Sequence, residues 1–117
     1  MNRASQAYGS VANQTSNPRE FEANLLLDAA SRLQAAKDTA GASLNNALDY
    51  NRKLWTLLIS AVSKDENPLD KSIRQNVANL GLFVCKQTIS AQIDPKPDNL
   101  MPLININREL AAGLLAR

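Results

Sequence analysis

Histidine is absent from this chain of 117 residues. The commonest general base and the commonest metal ligand are therefore missing together. A single cysteine, Cys85, excludes an internal disulfide and any cysteine-rich metal site, and it fits a reducing compartment. Four glycines and five prolines leave little material for the tight turns of an all-β fold. Aromatic residues make up only 4%, against 44% apolar residues in all, so the core must be built from Leu, Ile, Val and Ala. No window collects a run of like charges, and the formal charge of +2 is a dispersed surplus of Lys and Arg. No apolar segment approaches the length of a membrane span, and the longest, Leu54 to Val62, is interrupted by Thr56 and Ser60. The opening residues, Met1-Asn-Arg-Ala-Ser-Gln-Ala-Tyr8, have no apolar run behind the arginine, unlike a signal peptide. The expectation is a cytoplasmic, soluble protein of one domain, with no membrane association and no cofactor.

What the chain does have is apolar periodicity. Residues 44, 47, 48, 54, 55, 58, 61 and 62 are apolar and recur near a 3.6 period, which predicts a helix with a wide apolar stripe. This axial stretch holds the only tryptophan, Trp55. Asn51 lies on the same stripe, where an amide left buried and unpaired costs about 1–3 kcal/mol.

Before the axial helix, residues 1–16 read as an N-terminal arm or a short helix carrying Ala4, Ala7, Tyr8 and Val11. The main domain spans 17–117. Asn17-Pro-Arg-Glu20 is a start signal: Asn17 can cap, Pro18 has its φ preset, and Glu20 occupies the capping-box position. The helix it opens should run to about Asp38 on the stripe Phe21, Leu25, Leu26, Ala29, Leu33 and Ala36. Gly41 either ends that helix or kinks it, and Ser43 is a candidate cap for the axial helix.

Asn67-Pro-Leu-Asp70 repeats the Asn-Pro device and opens a helix striped with Leu69, Ile73, Val77, Leu80 and Val84, broadened by Leu82 and Phe83. Gly81 in its middle costs roughly 1 kcal/mol relative to alanine, which points to close approach by another backbone, expected to be that of the axial helix. Asp94-Pro-Lys-Pro-Asp98 interrupts helix, and Asp98 is expected to cap the last one, with Pro102 tolerated in its first turn. That last stripe is Leu100, Leu103, Ile104, Leu110, Ala111 and Leu114, with Asn107 set into it. Short connections at 39–43, 64–68 and 94–98 favour antiparallel neighbours. The predicted fold is all-α: a small antiparallel bundle of four main helices plus a possible short N-terminal helix.

No phosphate-cradling loop, zinc spacing or nucleophile–histidine pairing is present, and the carboxylates are scattered, so the chain is not expected to be an enzyme. Arg52, Lys53, Arg74, Lys86 and Arg108 could contact RNA if they met on one face. Without a basic run or repeated stacking aromatics, direct nucleic-acid binding is not expected. Cys85 reads as a small core residue beside Leu80 and Val84. Trp55 reads as a core anchor, with an interface anchor as the alternative. Asn51, Asn79 and Asn107 fit a polar network that sets helix register, or polar contacts lining a groove.

Several segments carry a family resemblance: Asn17-Pro-Arg-Glu20, Ala47-Leu-Asp-Tyr-Asn-Arg-Lys-Leu-Trp55, Asn67-Pro-Leu69, Val77-Ala-Asn-Leu-Gly-Leu-Phe-Val84 and Leu103-Ile-Asn-Ile-Asn-Arg-Glu-Leu-Ala-Ala-Gly-Leu114. In this order and spacing they resemble the FlaF family of flagellar biosynthesis regulators. Asp70 and Cys85 depart from that family's pattern, which makes Cys85 a poor candidate for a functional thiol.

The resemblance implies a non-enzymatic regulator: a flagellin-binding adaptor or secretion chaperone that promotes flagellin synthesis and export and acts opposite FlbT. The alternative is a post-transcriptional regulator that contacts flagellin mRNA directly. Flagellin is the expected partner and FlbT a second candidate. A helix-in-groove mode would place Leu54, Trp55, Leu58 and Phe83 in the groove, with Asn51, Arg52, Asn107 and Arg108 as polar contacts around it.

Overall fold

The computed structural model describes residues 17–39 and 41–116, and the expected N-terminal arm lies outside these. Four helices follow one another: α1 (Pro18–Ala36), α2 (Ala42–Val62), α3 (Lys71–Ile93) and α4 (Pro97–Leu115). No strand occurs among the described residues, and the all-α reading holds. Helix α1 packs on α2 and α4, and α3 packs on the same two, while the diagonal pairs have no close backbone approach. This is a four-helix bundle with α1 and α3 at opposite corners. Its long dimension of 39 Å is that of one helix of about 20 residues at 1.5 Å per residue, plus its loops.

Helix α1 meets α4 most extensively, and small residues explain why. Ala23, Ala29, Ala30 and Ala36 on α1 and Ala111 on α4 are all buried, which lets the two backbones come close. Arg19 at the start of α1 donates to the carbonyls of Gly113 and Ala116 at 3.4 and 3.5 Å, so the pair is antiparallel.

Asn17 caps α1 as expected, accepting from the backbone N–H groups of Arg19 and Glu20 at 3.0 and 3.3 Å. The other helix starts differ from expectation. Gly41, at φ +82°, is the N-cap of α2, and Ser43 lies inside the helix rather than capping it. Helix α1 ends at Ala36, two residues short of Asp38. Asn67 does not cap α3, whose N-cap is Asp70. Instead its Oδ1 accepts from Leu69 N at 3.0 Å and its Nδ2 donates to Ala61 O at 3.1 Å. The loop is thereby folded back on the end of α2, and Leu69 is buried beneath it. Arg74 completes that end by donating from Nε to Val62 O at 2.9 Å and from Nη2 to Lys64 O at 2.7 Å. Helix α4 starts at Pro97, so Asp98 is in its first turn rather than capping it, and Pro102 falls one turn further in than expected.

Gly81 is buried against α2. A Cβ there would overlap Ile59 Cδ1 and come within 2.7 Å of its Cγ1, with Trp55 Cε3 at 3.8 Å. The approaching element is the axial helix as expected, but side chains rather than its backbone fill the space. Helix α3 turns Val77, Gly81, Val84, Thr88 and Ala91 into the bundle. Its bulkier residues Leu82 and Phe83 do not broaden the buried stripe; both are exposed.

Candidate functional site

Three side chains meet at the centre of the bundle. Asn107 on α4 accepts from Trp55 Nε1 at 2.9 Å and donates to Asn51 Oδ1 at 2.7 Å, both on α2. Its Nδ2 also reaches the Leu26 carbonyl on α1 at 3.3 Å. One amide thus connects three helices, including a diagonal pair with no close backbone contact. A shift of α4 by one residue would turn Asn107 out of line with Trp55, Asn51 and Leu26 together, so the network specifies register. Asn51 Nδ2 is buried with no partner among the described residues. Reversing that amide would set two donors against each other at Asn107, so the orientation follows from the network.

The eight residues expected around a partner groove divide sharply. Asn51, Leu54, Trp55, Leu58 and Asn107 are fully buried, and no open groove runs between them. This corrects the groove geometry: the apolar stripe of α2 is spent on the core of the monomer. Of the remaining three, Phe83 is 43% exposed, and Arg52 and Arg108 are at the surface. Asn79 is exposed, accepts from Gln75 Nε2 at 3.1 Å, and takes no part in the buried network. Cys85 is exposed rather than in the core.

The five basic residues are used unequally. Arg52 and Lys53 both pair with Asp49, at 2.7 and 2.8 Å. The Lys53 ammonium, and then the Arg52 guanidinium, hold the Asp49 carboxyl below its ordinary pKa. Arg74 is committed to the end of α2. Lys86 and Arg108 project from α3 and α4 as surface side chains. An α1–α2 cluster adds a further polar contact: Tyr50 donates to Asp28 Oδ2 at 2.8 Å, and Arg32 stacks 4.2 Å over the Tyr50 ring. Burial and the neighbouring Asp28 carboxylate push the Tyr50 hydroxyl up to about 12.

Two features escaped the sequence reading. Glu22 is only 4% exposed and has no ion pair among the described residues, and burial pushes its carboxyl up to about 7. Its spacing to Leu25, Leu26, Ala29 and Leu33 puts it on the buried line of α1, a signal that was readable. The second is the outer side of α3, where Leu82, Ile89 and Ile93 are 67%, 57% and 80% exposed. Between α3 and α4 there is also a shallow groove of about 270 Å³, lined by Ile73, Leu80, Ile106, Leu110 and Leu114. Among the described residues no cluster of three or more Cys, Asp or Glu could hold a metal ion, and no helix is long and apolar enough to cross a membrane.

These observations define a small helical bundle with a closed core, a polar lock at its centre and one helix left apolar on its outer side. The chain belongs to the family described as flagellar protein FlaF, whose profile matches residues 4–114. No match was found among curated proteins or among solved structures.

Proposed function

We propose that this flagellar protein is a non-enzymatic adaptor that binds flagellin in the cytoplasm, promotes its synthesis and export, and acts opposite FlbT. The family match across 4–114 carries the reading, because the matched stretch takes in all four described helices except the last residue of α4. With α2's stripe enclosed, partner contact falls to the exterior of the bundle, where Phe83 and Arg108 are exposed and Arg52 is presented paired with Asp49. The buried Asn51, Leu54, Trp55, Leu58 and Asn107 then serve binding indirectly, by holding the helices that present those surfaces. Three of the five basic residues are engaged within the chain, which favours a protein partner over flagellin mRNA.

The test is isothermal titration with full-length flagellin and with flagellin lacking either terminal segment. Saturable one-to-one binding that persists in moderate salt and disappears with one terminus is the expected result. No heat with any flagellin would overturn the reading and leave FlbT or RNA as the direct target.

A further inference from the structure

The outer side of α3 repeats apolar residues at coiled-coil spacing. Ala78, Leu82, Cys85 and Ile89 are separated by four, three and four residues, and Ile93 follows after four more. This is the 3.5-residue rhythm of a helix-pairing seam. It runs along a flank roughly 120° round the helix from Val77, Gly81, Val84, Thr88 and Ala91, which face the bundle. Phe83 stands apart from it, on the flank where Gln87 reaches across to the Asn99 carbonyl of α4 at 2.9 Å. Helix α3 is therefore apolar on two sides, and the bundle covers only one.

The charges beside the seam narrow what can cover the other. From Lys71 to Ile93 the helix carries Lys71, Arg74 and Lys86 and no acidic residue. Arg74 is committed to the carbonyls ending α2, which leaves Lys71 and Lys86 exposed along the seam. A second copy fits poorly. Parallel pairing sets Lys71, seven residues before Ala78 on the same line, against its own copy, and antiparallel pairing centred between Leu82 and Ile89 does the same for Lys86, with no acid on either helix to offset them. We propose that this face docks an amphipathic helix of another protein, one with a two-position apolar seam and acidic margins. The surface follows from this chain's own chemistry and does not require that helix to come from flagellin.

The probe is a three-heptad helical peptide with leucine at its seam and glutamate at its margins, set against the same peptide with lysine margins. Cys85, the chain's one cysteine, lies within the seam and reports on coverage. The glutamate peptide is expected to bind and to slow the reaction of Cys85 with a disulfide reagent roughly tenfold. The lysine peptide is expected to bind roughly three- to tenfold more weakly in low salt, the effect of one or two screened ion pairs. Leu82→Glu with Ile89→Glu should abolish binding while leaving the unfolding midpoint nearly unchanged, since both side chains are exposed. Lys86→Glu should shift the preference toward the lysine peptide. Failure of the glutamate peptide to bind, equal binding of both peptides, or binding indifferent to the Leu82 and Ile89 changes would overturn the proposal. So would a wild-type dimer in sedimentation that Leu82→Glu dissolves, because the face would then belong to a second copy.

Discussion

Replacing Asn107 by alanine destabilises the bundle much more than replacing Asn51, although both are fully buried asparagines set into apolar stripes. Their hydrogen-bond inventories differ. Asn107 makes three side-chain bonds, to Trp55 Nε1, Asn51 Oδ1 and the Leu26 carbonyl. Asn107→Ala strands the indole N–H and the Asn51 oxygen, while the Leu26 carbonyl keeps its place in the α1 ladder. Two stranded buried groups at about 1–3 kcal/mol each give a loss of roughly 2–6 kcal/mol, before any cavity term.

Asn51→Ala works in the opposite sense. It takes one acceptor from Asn107 Nδ2, which retains Leu26 O, and it deletes a donor that was already unpartnered. The expected cost is roughly 0–2 kcal/mol. Since domains of this kind are stable by only about 5–15 kcal/mol, the gap separates a marginal chain from a nearly normal one. Urea unfolding followed by far-ultraviolet circular dichroism measures both, and Trp55 emission reports directly on loss of the indole bond in Asn107→Ala. An unfolded Asn107→Ala beside a folded Asn51→Ala is the same result at its limit. Equal losses, or a larger one for Asn51→Ala, would refute the inventory.

Glu22 makes stability depend on pH. Its folded pKa, about 7, lies above the ordinary 4.5, so the folded chain holds the proton more tightly. The stabilisation is fully present below 4.5 and is lost as pH rises through 7, a change on the order of 3 kcal/mol. Glu22→Gln should be clearly more stable than the parent at pH 8 and nearly equal to it at pH 4.5, as read from urea midpoints. Gly81→Ala should cost about 1–3 kcal/mol despite alanine's better helix propensity, because the new Cβ meets Ile59. Adding Ile59→Ala should recover part of that loss in a double-mutant cycle, and strict additivity would refute the clash. In a Tyr8→Phe background, ultraviolet titration of the remaining Tyr50 should give a pKa near 12, lowered only in part in Asp28→Asn because burial, the larger cause, remains. An unchanged titration would dissociate Tyr50 from Asp28.

The fold was legible to different depths along the chain. Each helix announced itself by its stripe, and the glycine in α3 correctly pointed to the axial helix. The loops were read less well. Asn17 and Asn67 both precede Pro, yet one caps a helix and the other folds a loop back on α2, because Asn67 finds the carbonyl of Ala61 within reach. For the candidate site, the position of Asn51 and Asn107 in apolar stripes was sufficient to mark them as a buried polar pair. That Asn79 is not part of the pair, and that Cys85 faces outward, could not be read from α3 alone. Its apolar residues lie nearly all round the helix, so periodicity does not say which side is covered.

By itself the sequence determined what depends on neighbours along the chain: four amphipathic helices, the cap at Asn17, and a core without room for histidine or disulfide chemistry. The tertiary structure decided what depends on neighbours in space. It turned Trp55 inward onto Asn107, placed Glu22 without an ion partner among the described residues, and left Leu82, Ile89 and Ile93 uncovered. The physical reason is that an apolar side chain gains free energy only where another surface meets it. In a four-helix bundle each helix has two adjacent neighbours, and α3 carries more apolar surface than α2 and α4 can cover.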